Sequence, residues 1–166
     1  GSKVLAATKN AGVFISADSG SNWSPFNSGL TAVNIRKVIV TPNYIYLFTE
    51  TGDVYQSQGS NWAAIQLGLP VGVKPTSLTF FNHKLVLGTM GSGVYIRDEV
   101  VGQWQAFNQG LSNLNVTSVV AQRSKLFAGT EGDGVFVTDT AAIDWKTTAP
   151  TTIPHTVLMG LNGKNI

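Results

Sequence analysis

The chain has no cysteine in its 166 residues. A disulfide framework, a thiolate metal site and a cysteine nucleophile are therefore excluded, while the compartment stays open. Charge is scarce as well. Asp, Glu, Lys and Arg together make up 12%, about half of the roughly 25% usual in soluble domains, so Ser, Thr, Asn and Gln must wet much of the surface. The net charge is only +2, although the pI is about 9.0. No basic run is interleaved with aromatics, which removes the case for an extended phosphate-binding surface and for a nucleic-acid partner. No apolar run approaches the roughly 18 residues of a membrane span. Helical periodicity is missing too, since no stretch of ten residues shows it.

What is present is repetition. Apolar residues reach 43%, too many for a disordered chain, and they fall in short runs that recur. Lys3-Val4-Leu5-Ala6-Ala7-Thr8 leads to Gly12-Val13-Phe14-Ile15, and Lys84-Leu85-Val86-Leu87-Gly88-Thr89 leads to Gly93-Val94-Tyr95-Ile96. Lys125 to Thr130 leads in the same way to Gly134-Val135-Phe136-Val137, with a looser copy from Tyr44 to Tyr55. Glycines 12, 52, 93 and 134 are spaced by 40, 41 and 41 residues, and tryptophans 23, 62, 104 and 145 by 39, 42 and 41. Gly29-Leu30, Gly68-Leu69 and Gly110-Leu111 each follow six and seven residues after a tryptophan. Three markers in phase establish a repeat.

Each unit holds four runs rich in Val, Ile, Phe, Tyr and Thr, separated by Gly, Asn and Ser. In the third unit the expected strands lie near 76–81, 84–89, 93–97 and 104–107. About 40 residues carrying four antiparallel strands is the size of a propeller blade, whereas solenoid repeats of that length are mostly helical. The fold class read from the sequence is thus all-β, a β-propeller of four blades forming one domain over 1–166. The repeats run over 3–40, 41–81, 82–122 and 123–163, and 164–166 begins a fifth copy. Thr156 to Met159 is expected to be the innermost strand of a blade whose other strands lie at the N-terminus, closing the ring and removing a free sheet edge. The alternatives are a portion of a longer array and a homodimer in which two chains complete a larger ring. Gly1-Ser2 reads as a cloning remnant.

Ser16-x-Asp18-x-Gly20-x-x-Trp23 resembles the Asp box, or bacterial neuraminidase repeat, found in sialidases, xyloglucan-cleaving glycosidases, sortilin-like receptors and a photosystem II assembly factor. The copy at Ser57 to Trp62 lacks the aspartate, and those at Arg97 to Trp104 and Thr138 to Trp145 keep little beyond the length and the tryptophan. The resemblance implies a propeller and a secreted or cell-surface protein, and its members are too diverse to imply one activity. Physically the box is a turn device. Asp18 accepts from nearby backbone N–H groups, Gly20 supplies conformational freedom, and Trp23 is expected to bury its ring between sheets.

Naming the strands of a blade A to D from the centre outwards, the D–A and B–C loops share one face, and the A–B and C–D turns share the other. The box is a C–D turn, opposite the face where propellers usually bind. On the binding face the expected residues are Lys9, Asn10, Glu50, Met90, Glu131 and Asp133 in the loops, with Asn34, Asn115 and His155 at the starts of inner strands. A sialidase would need three convergent arginines, but Arg36, Arg97 and Arg123 fall on opposite faces. A glycosidase would need two carboxylates about 5–9.5 Å apart, for which Glu50 with Glu131 or Asp133 are the candidates. His83 and His155 also fall on opposite faces, so no metal site is expected, and no cofactor. Asn22-Trp23-Ser24 and Asn115-Val116-Thr117 fit the glycosylation pattern, with meaning only in a eukaryotic secretory route. The function read from the sequence is a non-catalytic module binding a glycan or protein, with a glycoside hydrolase as the alternative.

Overall fold

The computed structural model describes residues 3–99, 102–139 and 144–148. Among them the apolar runs form fifteen strands and no helix. The chain divides into two compact units, Gly1–Leu67 and Gly68–Ile166. The first unit holds a three-stranded sheet in the order β1 (Val4–Ala7), β2 (Val13–Ser16), β3 (Ser24–Pro25). Beside it in the chain is a four-stranded meander, β4 (Ile35–Val40), β5 (Ile45–Thr49), β6 (Val54–Gln58) and β7 (Asn61–Ala64). The second unit holds two such meanders. One is β8 (Pro75–Phe81), β9 (Lys84–Thr89), β10 (Gly93–Asp98) and β11 (Gln105–Ala106); the other is β12 (Val116–Gln122), β13 (Lys125–Thr130), β14 (Val135–Asp139) and β15 (Lys146–Thr147). Every pairing is antiparallel.

The four runs expected in the third unit are thus β8 to β11, with ends shifted by at most one residue. The sheets, however, are out of phase with the sequence repeats. β4 lies in the stretch 3–40 but pairs with β5 in the stretch 41–81, so a repeat counted from Lys3 takes strands from two sheets. The strand expected at 156–159 lies outside the described residues.

Local chemistry explains the turns and the cores. β9 reads as an unbroken apolar run because every residue after Lys84 is buried. The hairpin from β8 to β9 turns on Asn82 and His83, with φ of 48° and 60°, the two-residue geometry that matches strand twist. Each inner strand, β4, β8 and β12, carries a bulge one residue after its start, between Ile35 and Lys37, Pro75 and Ser77, and Val116 and Ser118. In the first unit Val13, Ile35, Leu47, Tyr55 and Trp62 form the core; in the second, Val86, Val94, Val116, Leu126, Phe136 and Trp145 are among the core residues.

The second sequence copy needs one correction of register. Thr8, Thr49 and Thr130 each donate their backbone N–H across the loop after the second strand, to the carbonyls of Gly12, Asp53 and Gly134. The counterpart of the repeating glycine is therefore Asp53, not Gly52.

The tryptophans show how successive sheets are held. Trp62 Nε1 donates to the Phe26 carbonyl at 2.7 Å, its backbone N–H donates to the Ser28 carbonyl at 2.8 Å, and its ring lies 5.2 Å from that of Phe26. Trp145 repeats this with the Phe107 carbonyl at 2.8 Å, the Gln109 carbonyl at 2.8 Å and the Phe107 ring at 5.6 Å. The Gly-Leu spacing follows from the same contact. A Cβ on Gly29, Gly68 or Gly110 would strike the carbonyl oxygen of Trp62, Trp104 or Trp145, so only glycine lets the two backbones meet. Trp62, Trp104 and Trp145 are 4%, 2% and 3% exposed, but Trp23 is 42% exposed. The expected burial of Trp23 is thus wrong. The tryptophan of the one complete box is the one that is not packed, because its indole N–H folds back onto the Gly20 carbonyl at 3.0 Å.

Gly110→Ala should lower the unfolding free energy in urea by on the order of 3 kcal/mol, through collision with Trp145 added to left-handed strain. Gly59→Ala, which is at φ 64° but meets nothing within 4 Å, should cost only about 1–2 kcal/mol. Equal losses at the two positions would contradict the packing role.

Candidate functional site

The loops expected to bind are built on a repeated threonine. Thr8, Thr89 and Thr130 donate their hydroxyls to the carbonyls of Gly12, Gly93 and Gly134 at 2.8, 2.7 and 3.0 Å, which pins each B–C loop at its neck. An asparagine four residues after the tryptophan completes the neck. Asn27 Oδ1 accepts from the Val13 N–H at 2.7 Å, and Asn108 Oδ1 accepts from the Val94 N–H at 2.7 Å. Each side chain occupies the space above the glycine, so a Cβ on Gly12 or Gly93 would run into it. In the second copy both partners change together: Asp53 replaces the glycine, and Gln66 Nε2 donates to Asp53 Oδ1 at 2.6 Å. These residues were missed in the sequence, although Asn27 and Asn108 stand two before Gly-Leu at a constant interval that marks them.

Backbone bonds then tie these necks to the D–A loops. In the first unit Gly12 N–H donates to the Val33 carbonyl, Ile35 N–H to Thr8, and Glu50 N–H to Asn34, at 2.9, 3.1 and 2.9 Å. Lys9, Asn10, Asn34 and Glu50 are thereby brought to one rim, and all four are exposed. The bulge in β4 turns Arg36 onto that rim, where its Nη1 meets Glu50 Oε2 at 3.2 Å. Both side chains are about half exposed (49% and 44%), so the pair fixes a side chain more than it stabilises the fold.

In the second unit Met90 N–H donates to the Lys74 carbonyl, Gly91 N–H to Leu114, and Glu131 N–H to Asn115, at 2.9, 3.1 and 2.9 Å. Asn113 Nδ2 reaches the Glu131 carbonyl at 2.7 Å, and Ser112 Oγ donates to Asp133 Oδ2 at 2.9 Å. Met90, Asn115, Glu131 and Asp133 therefore share a second rim. Glu50 belongs to one unit, and Glu131 and Asp133 to the other. His155 lies outside the described residues.

The turns on the opposite side use their polar groups internally. In the box, Asp18 Oδ1 accepts from the Ser16 hydroxyl and the Asn22 N–H, each at 2.8 Å, and Asp18 Oδ2 accepts from Asn22 Nδ2 at 2.7 Å. Ser16 Oγ accepts from the Gly20 N–H at 2.8 Å, and Ser19 as well as Gly20 takes positive φ. The Asn22 backbone N–H above all, with the Asn22 amide and the Ser16 hydroxyl, holds the Asp18 carboxyl at about 2, below its ordinary 3.8. In the third copy Arg97 takes the place of Ser16. It is buried, and it donates to the carbonyls of Gly102, Asp98 and Glu99 at 3.1, 3.2 and 3.5 Å, so its guanidinium is committed to its own turn. An open depression of about 310 Å³ beside it is lined by Lys84, Ile96, Arg97, Asp98, Gly102, Gln103 and Gln105. Among the described residues no group of three or more His, Asp or Glu side chains is placed to hold a metal ion, and no helix is long and apolar enough to cross a membrane.

No protein-family model matches the chain, and no curated protein does. Solved structures do resemble it. The computationally designed Ika8 protein superposes with a TM-score of 0.72 at 11% identity, over 96% of this chain and 50% of that one. The fold is that of a β-propeller. YCF48 bound to D1 peptide is similar with a TM-score of 0.62 at 18% identity, over 86% of this chain and 50% of that one. The extracellular domain of BT3049 from B. thetaiotaomicron gives 0.63 at 13% identity, over 87% of this chain and 24% of that one. The chain thus spans about half the length of the Ika8 and YCF48 chains it matches.

The box should be visible in its titration. Because the folded pKa of Asp18 is lowered, its contribution to stability is complete above about pH 3.8 and is lost as the pH falls through about 2. A carboxyl carbon titration by NMR should place its midpoint near 2 and higher in Ser16→Ala. The stability gap between the parent and Asp18→Asn should close over the same window. A midpoint unmoved by Ser16→Ala would contradict the hydrogen-bond account.

Proposed function

We propose that this propeller is a non-catalytic binding module, recognising a protein or glycan ligand through the rims formed by its B–C and D–A loops. One observation carries the reading. The backbone of these loops is bonded to neighbouring loop backbone, at Glu50–Asn34 in one unit and at Met90–Lys74, Gly91–Leu114 and Glu131–Asn115 in the other. Side chains on so short and tied a backbone lose little freedom on binding, which favours recognition by a preformed surface. Lys9, Asn10, Asn34, Glu50, Met90, Asn115, Glu131 and Asp133 are the residues assigned to that surface, and His155 is assigned with them from its place in the repeat.

A protein ligand is supported by the similarity in fold to YCF48, whose structure is of a complex with D1 peptide. The hydrogen-bonded turn from Ser16 to Trp23 supports membership of the Asp-box propellers. A secreted or cell-surface location goes with that membership, and the extracellular neighbour BT3049 agrees with it.

Selection of ligands for the parent protein on a glycan array and from a displayed peptide library tests this reading. The ligand selected should bind at least about tenfold more weakly to Glu131→Ala and to Asn115→Ala, a loss of about 1.4 kcal/mol, with the melting temperature unchanged. Equal binding by these variants would remove the rim from the account. Hydrolysis of a selected glycan, abolished by Glu131→Gln alone, would replace the binding module by a glycosidase.

A further inference from the structure

The tryptophan contact works as a lock and key, and the chain carries one more lock than keys. The key is an apolar residue, an amide residue, any residue, then Gly-Leu: Phe26 to Leu30, Ile65 to Leu69 and Phe107 to Leu111. Its glycines lie against the carbonyls of Trp62, Trp104 and Trp145, so all three keys are engaged. The positions that would hold a fourth, three to seven residues after Trp145, are Thr148, Ala149, Pro150, Thr151 and Thr152. None of them matches the pattern.

Trp23 is the lock left over. It stands in its sheet as the others do, just before Ser24, which pairs with Ile15 as Gln105 pairs with Ile96 and Lys146 with Val137. Yet the residue is 42% exposed. Its indole N–H is turned back to the Gly20 carbonyl, and its backbone N–H has no hydrogen-bond partner among the described residues. An exposed tryptophan beside a backbone donor with no partner among the described residues offers what Trp62 and Trp145 use. The ring supplies an apolar platform, and the N–H supplies a directional bond.

We infer that the Trp23 face of the first sheet docks a segment of another polypeptide with the pattern aromatic–Asn–x–Gly–Leu, the sequence that ends the outer strand of a similar sheet. The aromatic side chain lies on the indole. The carbonyl two residues later accepts the Trp23 backbone N–H, and the glycine meets the Trp23 carbonyl, where no side chain fits. The specificity therefore rests on a Cβ that is absent, which makes it testable from the ligand side.

The probe is a capped synthetic peptide with the sequence of residues 105–111, Gln-Ala-Phe-Asn-Gln-Gly-Leu, followed by the indole N–H resonances of ¹⁵N-labelled protein. The Trp23 signal is identified as the one lost in Trp23→Phe. Millimolar peptide should shift that signal saturably and leave the other three in place, and the same peptide with Gly110→Ala should not shift it. No saturable shift, or an equal response to the Gly→Ala peptide, overturns the proposal. A Trp23 shift that follows protein concentration without peptide also overturns it, by giving the site to a second copy of the chain.

Discussion

The constraint on which the structure depends is the close approach of a glycine backbone to the carbonyl of a tryptophan. A sheet whose outer strand is only two residues long, such as β3, β11 or β15, has little ladder with which to hold the next one. The tryptophan supplies the missing connection with two hydrogen bonds and an aromatic contact at once, at Trp62 on Phe26 and Ser28 and at Trp145 on Phe107 and Gln109. Burial of a large ring adds an apolar contribution that a chain with only 12% charged residues and no disulfide cannot easily obtain elsewhere. Fixing the outer strand in this way sets where the D–A loop begins, and hence where the rim stands.

From that anchor the two faces acquire different characters. On the rim side, polar backbone atoms satisfy one another between loops, as at Glu50 with Asn34 and Glu131 with Asn115, and side chains remain outside. On the turn side the reverse holds: Asp18 and Arg97 spend their charges on their own loops. A carboxylate held at about 2 by its own turn has no proton to lend near neutral pH, and a guanidinium bonded to three carbonyls is poorly placed to receive a substrate carboxylate.

Much of the fold was legible because its signals are periodic. The apolar runs of β9 and β13 and the tryptophan interval mark strands and sheets with no need of tertiary information. What escaped the sequence depends on which neighbour is present. Trp23 sits in the best box and is expected from the sequence to be buried, yet burial goes with an apolar–amide–x–Gly–Leu segment opposite, which Trp62, Trp104 and Trp145 each have. Gly52 keeps the interval while Asp53 keeps the register, because the Asp53–Gln66 pair replaces a glycine–asparagine pair as a unit. Arg36 reaches Glu50 only through a bulge in β4, and a bulge leaves no mark in the alternation of the strand. The expected rim positions of Lys9, Glu50, Met90 and Glu131 rest on loop order alone, whereas chemistry is not encoded in spacing.

The most direct measurement is the urea unfolding free energy of Trp62→Ala beside that of Trp23→Ala, two tryptophans of the same unit at the same place in the repeat. If the glycine–tryptophan lock holds the sheets together, Trp62→Ala loses about 3–5 kcal/mol, and Trp23→Ala loses about 1 kcal/mol or less, as expected for a partly exposed side chain. Equal losses at the two positions would show that the lock is not what the fold depends on.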